Sequence, residues 1–218
     1  MSNEEKQIEF EKVVEDPKYF YLKDFQSKRL RSTYDDFASQ PEYASACFFF
    51  FYRIYSVEDT EDRDRQFRKI HGTVKNFLGG EVVNSMSRLI ELQDLTIQLD
   101  MKLLAVLAEM EAPVSFDVDT YERAYKMSDN YVAREKQIEL LDFTIRLIHS
   151  ISHRFGIGMI LKGLRAACLV LGHTAMVDFL MDGYRAFADL RAIDPLAEAM
   201  VAREQRRLDR IWAIPLTS

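Results

Sequence analysis

Apolar residues recur along this chain at intervals of three and four, the spacing that lines one face of an α-helix. Over residues 18–38 they are Tyr19, Leu22, Phe25, Leu30, Thr33 and Phe37. Gln40-Pro41 breaks that helix, and Pro41 suits the first position of the next one, over 41–55. Phe67, Ile70, Val74, Phe77 and Leu78 stripe a charged helix over 60–78 that Gly79-Gly80 closes. Residues 81–109 form the longest predicted helix, with Val83, Ile90, Ile97 and Leu104 seven apart and Val82, Leu89, Thr96 and Leu103 beside them. The flanking positions are Met86, Gln93, Asp100 and Leu107, two of them polar where a bundle wants apolar groups. Asp119 to Glu122 resembles a capping box that opens a short helix to about Met127. Further helices are expected over 130–155, with Ile138, Leu141, Ile145, Ile148 and Phe155 facing the core, and over 159–170 and 174–189. Asp194-Pro195 pairs a capping side chain with a helix-starting proline and opens the last helix, to about Trp212.

One stretch departs from amphipathicity. Phe48, Phe49, Phe50, Phe51, Tyr52, Ile54 and Tyr55 make the 41–55 helix apolar on every side. A surface helix needs one face for water, so this one belongs at the centre of a bundle or beneath a partner. No strand-like alternation, internal repeat or low-complexity linker interrupts the pattern. The reading is an all-α fold, a single multi-helix bundle of about eight to ten helices with a central aromatic helix. Residues 1–16 form an acidic extension, itself helical over 3–15 until Asp16-Pro17, and 17–218 form the helical domain.

Composition narrows the function classes. The 218 residues carry a net charge of −6, which gives no reason to expect nucleic acid, since phosphate binding needs a basic surface. Lys28 and Arg31 make one local basic face that reads as a solvated helix surface. Cys47 and Cys168 sit among apolar neighbours, as buried free thiols do, and no CxxC or CxxH pairing suggests zinc. No apolar run reaches the roughly 18 residues of a membrane span. The acidic N-terminus lacks the apolar core of a secretory signal, so a cytoplasmic setting is expected.

Few constellations carry chemistry. His149 and His153 stand four apart and could share a metal, but no Glu-x-x-His accompanies them. The plainer reading has His149 hydrogen-bonded at the core edge and His153 in solvent near a helix C-terminus. His71 and His173 are isolated, and nothing supports either as a haem ligand. Asp94, Gln93 and Asp100 fall on or near the buried side of the long helix. A carboxylate there serves either as a shifted acid or base, or as a structural partner for Arg63, Arg65, Arg134, Arg146 or Arg165. Gly156 to Gly163 lacks the spacing and preceding strand of a phosphate loop, and its small residues favour close helix packing.

Several segments together resemble the bacterial FFLEELY-motif proteins, an all-helical family with no established activity. The naming motif aligns with Phe49-Phe50-Phe51-Tyr52-Arg53-Ile54-Tyr55, preceded by Leu22, Phe25, Gln26, Arg29, Leu30, Thr33, Tyr34 and Asp35, then Pro41 and Tyr43. Asp59, Arg63 and Asp64 match a D-x-x-x-R-D element, and Arg134 to Ile138 an R-E-R-Q-I segment. Gly172 to Leu180, running on to Phe187, matches a small-residue stretch and the helix after it. The resemblance spans roughly residues 20–212. This copy carries Tyr52 and Arg53 where the family has two glutamates. The resemblance implies the helical fold, and it singles out Arg63 and Asp64 as a polar anchor beside the aromatic helix.

The functional expectation is a non-enzymatic binding or protein-interaction module that self-associates or takes a protein partner, with no cofactor and no metal. The alternative is an apolar small molecule in the bundle core, such as an acyl chain, isoprenoid or haem. It would lie against Phe50, Phe51, Tyr55 and Met86, with Asp94 or His149 supplying polarity. A di-metal oxygenase-like enzyme is the weakest of the three readings.

Overall fold

The helical periodicity is realised throughout the computed structural model of the protein, which describes residues 16–54, 80–170 and 175–215. Those residues form nine α-helices and one π-helical segment, with no strand among them. The helices are α1 (Pro17–Thr33), α2 (Asp35–Ala38), α3 (Pro41–Phe48), α4 (Gly80–Glu109) and α5 (Val118–Met127). They continue with α6 (Tyr131–Ser152), α7 (Ile157–Val170), α8 (Ala175–Ala188) and α9 (Asp194–Ala213). The π-helical segment, Phe49–Ile54, continues α3. The helices expected over 3–15 and 60–78 lie outside the described residues.

Local chemistry sets most boundaries, with small corrections to the expected ones. Asp16 caps α1 by accepting from the Lys18 amide at 2.7 Å, and Pro17 follows it. Tyr34 interrupts the helix expected over 18–38 and divides it into α1 and α2. The cap of α5 is Asp117, which accepts from the Thr120 amide at 2.8 Å, so the helix starts before the expected Asp119. Asp194 does not cap α9. It is the first helical residue, and its carboxylate pairs with Arg146 instead. Helix α6 stops at Ser152, which leaves Phe155 fully exposed (101%) in the following turn rather than in the core. That turn needs Gly156, whose φ of +81° suits a residue without a Cβ.

Helix α6 is the hub. It packs extensively against α9, α4 and α8, so its neighbours surround it on several sides. Three apolar clusters fill the spaces. One joins Leu30, Tyr34, Tyr43 and Phe49 to Phe51 with Ile145, Phe187, Leu190 and Met200. A second gathers Leu22, Leu103, Leu107, Phe116, Tyr121, Tyr125 and Ile211, and a third joins α7 to α8 through Ile157, Leu161, Leu164, Cys168, Val177 and Met181. Cys47 and Cys168 are both buried free thiols, and burial pushes the Cys47 thiol up to about 12.

The aromatic stretch is only partly enclosed. Phe49, Phe50 and Phe51 are buried, whereas Phe48 and Tyr52 are 56% and 45% exposed. The wider π-helical turn lets three consecutive rings face inward. Phe51 stacks on Tyr34 at 5.1 Å, and its carbonyl accepts from the Ser27 hydroxyl at 3.2 Å. Phe48 and Tyr52 stack on each other at 4.9 Å, and the Arg31 guanidinium covers Tyr52 at 4.6 Å. Stacking and a cation therefore shield rings that the sequence pattern assigned to the interior. Phe49 packs so close to α8 that a Cβ at Gly183 would stand 2.9 Å from its ring.

Candidate functional site

The densest polar chemistry lies where α1, α5, α6 and α9 meet. Glu204 on α9 accepts from Arg29 Nη1 at 2.9 Å and from the Tyr34 hydroxyl at 3.0 Å. Burial pushes the Glu204 carboxyl up, but the charge and hydrogen bond of Arg29, with help from Arg207 and Tyr34, outweigh it. The carboxyl is held below its ordinary 4.5. Burial and the Glu204 charge together push the Tyr34 hydroxyl up. Glu122 on α5, also buried, accepts from Arg210 Nη1 at 2.8 Å and faces Arg207 at 3.5 Å. Both carboxylates are engaged by arginines, which fits anchors better than a general base.

Tyr125 stands at the centre of this corner. The Arg134 guanidinium lies 4.3 Å from its ring centre and that of Arg207 lies 5.3 Å away. Arg134 Nη1 donates to Gln137 Oε1 at 3.1 Å, and Gln137 Nε2 donates on to Thr96 Oγ1 of α4 at 2.9 Å. The R-E-R-Q-I-like segment thus places its arginine and glutamine in one hydrogen-bonded chain. Trp212 closes the corner from α9, edge-on to Tyr125 and Tyr131.

A second candidate is the outer side of α7. Its inward residues Leu161, Leu164 and Cys168 are buried, while Met159 and Leu169 are 69% and 63% exposed. Met159, Gly163 and Ala166 follow one line along the helix, with Lys162 and Leu169 on one edge and Ala167 on the other. Nothing lies within 4 Å of the position a Gly163 Cβ would take. Beside this face, α7 and α8 form an open pocket of about 310 Å³ lined by Lys162, Arg165, Asp178, Met181, Asp182 and Arg185. Most of its charges are already matched. Arg165 donates to Asp178 at 2.5 Å, and Arg53 reaches Asp182 at 2.9 Å.

The sequence-expected site residues do not assemble into one place. Phe50 and Phe51 are fully buried and pack edge-to-face at 6.1 Å, so their surfaces are engaged in the core. Asp94 is exposed on α4, not buried. Its neighbour one and a half turns on, Asp100, is the buried carboxylate, 2% exposed. Asp100 accepts from Lys23 at 2.9 Å and Gln26 at 2.9 Å on α1, while Arg134, Arg146 and Arg165 bond elsewhere and Arg63 and Arg65 lie outside the described residues. His149 donates its Nε2 proton to the Leu190 carbonyl at 2.8 Å, and exposed His153 donates Nδ1 to the His149 carbonyl at 2.9 Å. A carbonyl can only accept, so these two ring nitrogens carry the protons, which leaves His149 Nδ1 and His153 Nε2 as the unprotonated nitrogens of the neutral rings. Among the described residues, no group of three His, Cys, Asp or Glu side chains could hold a metal ion. Tyr55, Arg63 and Asp64 lie outside the described residues, as does the side chain of Met86.

Sequence reasoning missed Glu204, Glu122 and Arg29 as a set. The only signal was charge recurring on the inward side of the last helix, in Arg203, Glu204, Arg207 and Arg210.

No curated protein and no solved structure matches this chain. A family model does match, over residues 9–215, so nearly the whole chain is covered. The chain belongs to the family described as a domain of unknown function, DUF8198.

Proposed function

We propose that this protein is a non-enzymatic protein-interaction module that self-associates through the outer face of α7. The observation that carries the reading is the self-complementary pattern of that face. An antiparallel pairing of two α7 helices centred between Gly163 and Ala166 sets Gly163 against Ala166 of the partner subunit. It also brings Met159 beside Leu169 of the partner subunit and sets Lys162 opposite Ala167 of the partner subunit. Small residues at the crossing permit close approach, large apolar ones close both ends, and the two Lys162 charges stay apart. Fully exposed Phe155 extends the apolar area at one end.

One helix face per subunit sits at the low end of interface sizes, so the dimer is expected to dissociate on dilution. Sedimentation velocity over a concentration series tests this. The wild type should pass from dimer to monomer as it is diluted, and A166D should remain monomeric with an unchanged melting temperature. A wild type that stays monomeric at every concentration would end the reading.

Membership of the FFLEELY-motif group, by the order and spacing of its segments, and a cytoplasmic setting belong to the same proposal. Among the described residues no helix is long and apolar enough to cross a membrane. An apolar ligand against Phe50 and Phe51 draws less support, because both rings already pack against protein, and the α7–α8 pocket lies elsewhere.

A further inference from the structure

The corner around Tyr125 has more hydrogen-bond donors than acceptors. Four buried side-chain atoms have no hydrogen-bond partner among the described residues, and three are nitrogen donors at or near this corner: Arg29 Nε, Asn130 Nδ2 and Arg134 Nη2. Arg134 is the sharpest case. It is only 5% exposed, its one hydrogen bond goes to a neutral glutamine, and no described carboxylate lies within ion-pair reach. A buried guanidinium without a counter-charge is costly, and structures usually supply one.

Charge counting agrees. Arg29, Arg134, Arg207 and Arg210 bring four positive charges to the corner, against three carboxylates, Glu122, Glu204 and Asp209, the last accepting from the Tyr131 hydroxyl at 2.7 Å. The charges of Arg134, Arg207 and Arg29 all reach the Tyr125 hydroxyl, where they oppose the upward push of its burial. Asn130 and Arg134 stand one turn apart on the same side of α6, at the N-terminal end of a 22-residue helix. Backbone amides and the helix dipole there favour an anion. Asn130 Oδ1 accepts from Lys102 at 2.8 Å, which fixes the amide with its NH₂ directed away from that lysine and adds a further cation nearby.

From these unpartnered donors, we infer that the N-terminal turn of α6 binds a small oxyanion, a phosphate or a carboxylate, between Asn130 and Arg134. Such a ligand is rich in acceptor oxygens and supplies both the missing charge and the missing lone pairs. Arg134, locked over Tyr125 and tied to Gln137, presents one edge of its planar fork, the geometry suited to an oxyanion.

The protein carries its own reporter. Trp212 is the single tryptophan of the chain and its ring meets Tyr125 and Tyr131. The test titrates the full-length protein with inorganic phosphate, and separately with acetate, against chloride of matched ionic strength. Trp212 emission and melting temperature are read together. A saturable response to phosphate or acetate beyond chloride supports the inference, and the more effective anion identifies the class. R134M should weaken that response about tenfold or more, the loss of one charge-assisted hydrogen bond. In chloride alone R134M should be as stable as the wild type or more so, because it removes an uncompensated cation. If R134M does not fold, N130A and the wild-type titration still decide. No saturable response in the wild type, with R134M equally destabilised in every buffer, would overturn the inference and make Arg134 a partner of the chain itself.

Discussion

The corner around Tyr125 and the outer face of α7 invert the usual placement of side chains in opposite ways. The first puts arginines inside, and the second puts Met159, Leu169 and Phe155 outside. In the first, aromatic faces and carboxylates make burial tolerable. Arg134 and Arg207 share Tyr125, Arg207 also faces Tyr121, and Glu122 and Glu204 supply counter-charge. In the second, nothing on α7 compensates, and the apolar stripe faces water. Buried charge fixes one arrangement of helices at the cost of stability, whereas exposed apolar surface keeps binding capacity in reserve.

The comparison breaks most readily inside the core. F51A should destabilise the fold by about 3–5 kcal/mol, since it removes a buried ring stacked on Tyr34. R29M should cost about 3 kcal/mol or slightly more by leaving the Glu204 carboxylate buried without its cation, and adding E204Q should recover much of that loss. Chemical denaturation measures both. If R29M costs less than about 1 kcal/mol, the corner is not held by its charges.

The pH dependence sharpens the same point. The Glu204 carboxyl is held below its ordinary 4.5, so its ionised form stabilises the fold above that pH. The contribution is lost as pH falls from there through the depressed value. E204Q should therefore be less stable than the wild type near neutrality, and the gap should narrow below pH 4.5. A gap that stays constant down the acid limb would show that Glu204 contributes through packing alone.

Two smaller effects concern α7 and α8. G183A should cost about 1–3 kcal/mol, because the new methyl meets the Phe49 ring, and a melting curve would register it. M159D should change stability by no more than about 0.5 kcal/mol, as expected of an exposed site, while abolishing self-association in sedimentation. A large stability loss from M159D would mean that the outer face of α7 is already covered within one chain.

What the sequence determined by itself was the helical period and its punctuation. Proline, glycine and acidic caps act within a few residues of their own positions, so the segments around Pro17, Pro41, Gly156 and Pro195 were legible as helix starts and stops. One error was local, since Asp117 rather than Asp119 caps α5, and the other was tertiary, since Asp194 turned to Arg146 on another helix. The sequence also flagged a buried carboxylate on α4 but offered Asp94 beside Asp100. Which of the two is buried depends on the arrival of Lys23 and Gln26 from a helix more than seventy residues earlier in the chain. The same holds for Glu204, for the partial exposure of Phe48 and Tyr52, and for the donors left over at Arg134. Periodicity ranks the faces of one helix, but burial, pairing and surplus donors are properties of several helices meeting. Only the tertiary structure decides them, because only there does a charge acquire its neighbours and its dielectric.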